Sequence, residues 1–394
     1  MATRFPDGFL WGAATAAHQV EGGNIASDWW AKEWLPGTPI VEPSGDAADS
    51  YHRYREEMSL LAAAGFNSYR FSIEWSRIEP ERGFFSRAAI DHYRRMVDCC
   101  IETGLTPVVT LMHFTIPQWL FLGGAWLAPD AIDRFADFVD AALPIVSDGV
   151  RYVCTINEPN IAAMLANSQD KTTLVPGALP APDQRVGDVL LECHRAAVER
   201  LHALPGVMAG WTVATQAFEA SPEPGSAERL AEYGPPRDAW YLEAVRGDDF
   251  VGVQAYTRTI IGPDGPLPPD PGVERTLTGW EYFPPALERG VRAASALAPG
   301  TPIIVTENGI ATSDDQRRIA YTAQALEGLA AAMADGADVR GYLHWSALDN
   351  FEWASGYRPT FGLIAVDRTS FARTPKPSLA WLGSVARTRS LPAI

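Results

Sequence analysis

"PIIVTENG" at residues 302–309 and "VCTINEPN" at 153–160 decide how this chain is read. Each is an apolar run that closes on a glutamate, Glu307 in the first and Glu158 in the second. The composition of Ile303, Ile304 and Val305 suits a strand buried on both faces. Asn308-Gly309 marks a turn directly after Glu307. An ionised carboxylate at the end of a buried strand is costly unless something compensates it. One such strand end is an ordinary polar loop residue. Two in one chain call for a shared explanation.

The same pattern of apolar run, polar end and amphipathic segment extends outward in both directions. Strand-like runs lie at 9–22, 68–75, 107–114, 152–159, 207–216, 249–258, 302–309 and 340–351. Helical periodicity follows each of them, and the last helix falls near 377–388. Segments around 226–246 and 281–297 are read as helices, and Ser86 and Gly104 suit the two ends of the helix between them. Eight strand-then-helix units require parallel strands and close naturally into a single-domain (β/α)8 barrel over residues 1–394. An open doubly wound sheet is the competitor, but "FLWGAATAAHQVEG" carries no G-x-G-x-x-G phosphate turn. The early Gly and Ala residues then mark close packing in a narrow barrel.

Composition narrows the partners. The 394 residues are 47 % apolar and 20 % charged, enough for a large core. A net charge of −16 disfavours nucleic acid and anionic membranes, and no Lys/Arg cluster opposes that reading. Cys99, Cys100, Cys154 and Cys193 show no metal or disulfide spacing, so buried thiols in a reducing compartment are expected. No leader or membrane-length run appears, and a cytoplasmic location is expected.

A barrel carries its site at the C-terminal ends of its strands. His113, Asn157, Glu158, Gln254, Tyr256 and Glu307 all fall there. The second strand alternates Arg70, Ser72 and Glu74 with Tyr69, Phe71, Ile73 and Trp75. If the aromatic face meets helices, Arg70 points into the barrel and needs an anionic partner. Two carboxyls in unlike environments are the means by which glycosidases cleave an acetal. Arg70 and Tyr256 would keep Glu307 charged as a nucleophile. Glu158, beside that charge, should keep its proton and serve as the acid.

"FLWGAATAAHQVEG", "YRFSIEWSRI", "TINEPN", "VTENGI" and "HWSALDNFEWASGY…FGLIAVD" together resemble glycoside hydrolase family 1, in family order from residue 5 to about 367. The resemblance implies a retaining exo-β-glycosidase, a β-glucosidase foremost, with no metal or organic cofactor and a small glycoside or oligosaccharide as substrate. It assigns Glu158 as acid/base and Glu307 as nucleophile, with Arg70, Asn157 and Tyr256 around the nucleophile and the sugar 2-hydroxyl. Gln19, His113, Glu352, Trp353, Phe361 and Gln254 match substrate-binding positions, and Trp345 matches a platform under the sugar, with a cis bond to Ser346. Core packing is the expected role of Trp11, Trp75, Trp211 and Trp381. The other six histidines are expected to be structural or exposed.

Three departures stand out. Gln254-Ala255-Tyr256 replaces the usual Asn-Tyr-Tyr, and Gln254 is expected to shift contacts near the leaving group. Phe114 stands where tryptophan often follows the histidine. Asn160 replaces a frequent aromatic and is expected to make the aglycone side more polar. The segments at 166–184 and 260–272 are short, which suggests an open aglycone side that takes bulky leaving groups. Glu352 opposes a 6-phosphate, Glu158 opposes a thioglucosidase, and two intact carboxylates oppose a silent carbohydrate-binding protein. The glycone (gluco, galacto or fuco), transglycosylation and oligomeric state are not readable.

Overall fold

The computed structural model describes residues 4–167 and 179–392. Eight parallel strands form: β1 Leu10–Ala14, β2 Ser68–Ser72, β3 Thr106–Met112, β4 Tyr152–Asn157, β5 Met208–Ala214, β6 Val251–Gln254, β7 Ile303–Glu307 and β8 Val339–Trp345. β1 pairs with both β2 and β8, so the sheet closes in sequence order into a barrel. Parallel neighbours need long crossovers, and helices provide them. The crossovers carry α1 Ser50–Ala64, α2 Arg87–Glu102, α3 Ala131–Val146, α4 Gln184–His202, α5 Ser226–Tyr233, α6 Ala286–Leu297 and α7 Asp315–Ala334, and α8 Pro377–Thr388 follows β8. The expected (β/α)8 architecture is the one observed.

Two apolar layers hold it together. Inside the barrel Leu10, Val108, Cys154, Ile304 and Leu343 pack together. Outside, Phe71, Val109, Val153 and Val251 meet the helices. α2 shows how a helix is fixed there. Ser86 accepts from the Ala89 amide at its start, and Gly104 takes a left-handed φ of 83° just past its end. Tyr93, Met96, Val97 and Cys100 then fall on one face at helical spacing and are buried. Burying each contributes about 1.5–3 kcal/mol. All four cysteines are buried free thiols. Trp11, Trp75 and Trp211 are core residues, and Trp381 is partly buried against the same core.

Local differences have local causes. β1 stops at Ala14, and Gln19 lies on a short helical turn, Ala17–Val20, not on the strand. The helix expected at 226–246 breaks into α5, a wide turn Pro235–Ala239 and Trp240–Ala244, because Pro235 and Pro236 lack amide donors. Gly12 does serve close packing, since a Cβ there would sit 2.3 Å from Ser68 O. Gly309 matters for a related reason. A Cβ on it would lie 2.0 Å from Trp345 O, so it permits β7 and β8 to approach where the site begins. Part of the shortened 166–184 segment, residues 168–178, lies outside the described residues.

Candidate active site

Both glutamates arrive at irregular strand ends. Between β7 and β6 the register shifts between Val305 and Glu307, and between β4 and β5 it shifts between Cys154 and Asn157. Such irregularities re-aim a side chain. Glu158 follows directly, with a left-handed φ of 45° and its amide donating to Thr212 O at 2.9 Å. Both carboxylates line one cavity of about 420 Å³ at the C-terminal ends of the strands. That volume suits a monosaccharide with a further group attached.

The surroundings of the two differ. Glu307 Oε1 accepts from Arg70 Nη1 at 2.5 Å and from Gln254 Nε2 at 2.7 Å, while Oε2 accepts from the Tyr256 hydroxyl at 2.5 Å. Arg70 lies inside the barrel, as its alternation on β2 implied, and is fully buried. Burial raises Glu307 above the ordinary carboxylate range, and Arg70, Tyr256 and Gln254 oppose the rise. Arg70 and Tyr256 favour the charged form, as expected from sequence, but desolvation outweighs each of them. Glu158 is raised further, well above that range, by burial and then by the charge of Glu307. No side-chain donor compensates it among the described residues. The first proton taken by the pair therefore rests on Glu158.

Around this pair the wall carries polar atoms without partners. Asn157 Oδ1 accepts from Arg70, Gln254 and Thr212 at 2.6, 2.9 and 3.1 Å, which leaves its Nδ2 as an unpaired buried donor. Gln19 donates to Phe351 O at 2.8 Å and Asn350 Oδ1 at 3.1 Å, which leaves Oε1 unpaired. His113 Nδ1 and Gln254 Oε1 are also unpaired. Buried donors and acceptors are costly when unmet, so this set suits a ligand rich in hydroxyls. Burial and Arg70 hold His113 neutral, and its ring stacks on Trp345 and Trp353 at 5.8 and 6.3 Å. Trp345 Nε1 donates to Glu352 Oε1 at 3.3 Å, and the Trp345–Ser346 bond is cis. Burial pushes Glu352 up to about 8. Trp353, at φ 51°, backs onto His18, and Phe361 packs 6.1 Å from Tyr256.

Every site residue expected from sequence lines this cavity or, like Arg70 and Asn157, supports it from beneath. The profile of glycosyl hydrolase family 1 matches residues 1–222 and 246–391. The chain belongs to that family. It is 35 % identical to the thermostable beta-glucosidase B of Thermobispora bispora, covering 98 % of this chain and 91 % of the relative. Among solved structures, beta-glycosidase BGL167 superposes with a TM-score of 0.90 at 46 % identity, covering 99 % of this chain and 98 % of the other. The beta-glucosidase of Thermotoga maritima in complex with noeuromycin superposes with a TM-score of 0.90 at 28 % identity, over 99 % and 100 %.

Within this family 1 barrel two departures have defined partners, and the second acts differently from expectation. Gln254 donates from its Nε2 to Glu307 Oε1 and Asn157 Oδ1 beneath the cavity. Asn160 does not face the cavity: its Nδ2 donates to Ala214 O and Arg237 O, both at 2.8 Å, and it is fully buried. A short amide next to two free carbonyls binds them in preference to a distant ligand. Trp280 is one lining residue that sequence reading missed. It lines the cavity 5.5 Å from Tyr256, carried by a loop with no periodic signal. Of the histidines expected to be structural, His18 is buried against Glu33 at 2.8 Å and His194 against Asp248 at 2.8 Å.

Proposed function

We propose that this family 1 enzyme is a β-D-glucosidase that removes a terminal non-reducing sugar by double displacement, with Glu307 as nucleophile and Glu158 as acid/base. The observation that carries the reading is the unlike setting of two carboxyls in one cavity, one held by three donors and the other, among the described residues, by none. Glu158 gives its proton to the glycosidic oxygen as a Glu307 oxygen bonds to C1, and the C1–oxygen bond breaks to release the alcohol. Glu158, now charged, takes a proton from water as that water attacks C1 and the Glu307 ester bond breaks. Two inversions at C1 give retention.

Arg70 stays paired with Glu307 through both steps, so the returning carboxylate charge is met without rearrangement. Asn157 Nδ2 and Gln254 Oε1 face the sugar nearest the reacting centre, and Gln19, His113, Glu352 and Trp353 read its far hydroxyls. Trp345 and Phe361 supply apolar surface. The buried thiols suit a reducing compartment, and we assign the enzyme to the cytoplasm as one catalytic domain acting on small glycosides. The names of the relatives support the gluco preference.

A panel of nitrophenyl β-glucoside, β-galactoside and β-fucoside, with the first-formed anomer read by NMR, tests the reading. Release of β-glucose with the glucoside preferred is expected. An α-anomer as first product, or no turnover of any of the three, overturns it.

A further inference from the structure

Gln254 donates twice from one nitrogen, to Glu307 Oε1 at 2.7 Å and to Asn157 Oδ1 at 2.9 Å. Arg70 binds the same two acceptors from its two amino groups, at 2.5 and 2.6 Å. Because both neighbours of the Gln254 amide are acceptors, its nitrogen must face them, and chemistry fixes its orientation. The side chain is fully buried at the end of β6, with no freedom to swing away. Asparagine, shorter by one methylene, would draw the amide back by roughly 1.5 Å.

We propose that Gln254 is a positioning residue that ties the nucleophile to Asn157, so that Glu307 and the amide beside the reacting centre are held as one unit. The inference rests on the reading of Glu307 as nucleophile and adds a division of labour between the two steps. A donor on a carboxylate oxygen draws charge from it, which makes it a weaker base, a weaker attacking group and a better leaving group. In the first step the Glu307 oxygen–C1 bond forms as the leaving oxygen departs with its electron pair and the Glu158 proton. In the second, the C1–Glu307 bond breaks and its electron pair returns to the carboxylate. Gln254 restrains the first step and eases the second.

The test uses Gln254→Met, which keeps length without a donor, and Gln254→Asn, which keeps the donor without the reach. In Gln254→Met the acidic limb of kcat/KM on nitrophenyl β-glucoside is expected to rise by about one pH unit. Slow breakdown of the ester should also produce a burst of nitrophenol equal to the enzyme present. A limb displaced by less than about 0.2 pH unit with no burst, at an unchanged Tm, overturns the proposal. If Gln254→Met does not fold, Gln254→Asn must show a displacement in the same direction, and none would overturn it equally. Trapping the wild-type enzyme with a 2-deoxy-2-fluoro glucosyl fluoride separates the two readings. A label on Glu307 with an unmoved limb removes the role of Gln254 alone, and a label elsewhere removes both.

Discussion

Arg70 on β2 reaches across the barrel to Glu307 on β7, with Nη1 2.5 Å from Oε1. β1 and β8 stand between these strands in the sheet, so the contact exists only because the barrel closes. Both groups are out of solvent, and removing one leaves the other charge uncompensated. Arg70→Met is expected to lower stability by about 3 kcal/mol and to cut kcat by roughly 10³. Urea unfolding and nitrophenol release read the two effects, and an unaltered kcat would remove Arg70 from the mechanism.

The proton balance predicts the pH profile. Glu158, with its proton affinity raised by burial and by Glu307, is protonated in the working range and loses activity as pH rises through its own value. Glu158→Gln should lose that basic limb while keeping the acidic one. Glu307→Ala should abolish turnover, and azide should restore part of it with an α-glycosyl azide as product. A β-configured azide from this variant would contradict the assignment.

His92 stacks on Tyr51 at 3.6 Å, and burial holds it down to about 4. Unfolded histidine takes its proton near 6.5, so its contribution is complete above that pH and is lost as pH falls toward 4. His92→Phe keeps the stacked ring and removes the titration. It should flatten acid destabilisation by up to about 2 kcal/mol at pH 4.5, read by urea unfolding at several pH values. Parallel curves for the two proteins would refute the prediction.

Asn160 links the segment after β4 to the end of β5 and to Arg237 through three buried bonds, two donated by its Nδ2 and one accepted by its Oδ1 from the Ala214 amide. Asn160→Ala takes a partner from two carbonyls and from the Ala214 amide and should cost about 1–3 kcal/mol. Because it does not line the cavity, KM for nitrophenyl β-glucoside should stay within about twofold. A larger change in KM than in Tm would return it to the binding wall.

Ile161, Leu179, Thr257, Thr259, Thr278 and Trp280 line the same cavity as the two glutamates, and we place the leaving group against them. We expect this side to admit bulky natural glycosides, as the short loops suggested. In a kcat/KM panel, such substrates should match or exceed simple aryl glucosides and cellobiose. The idea fails if the small substrates win throughout.

What the sequence determined by itself was the repeating architecture and the place of its chemistry. Strand and helix periods are local, so eight βα units were readable, and a closed parallel barrel puts its strand ends on one face. Glu158, Glu307 and inward-pointing Arg70 followed from that. Tertiary structure alone decided the partners of Gln254 and Asn160. Gln254 meets residues 53 and 97 positions away, and Asn160 turns from the cavity toward backbone carbonyls 54 and 77 positions away. It also brought Trp280 to the wall from an aperiodic loop and, by desolvation, raised Glu307 as well as Glu158 above the ordinary carboxylate range. Hydrogen-bond choice and desolvation depend on which distant atoms share a buried space, and local pattern carries no record of that.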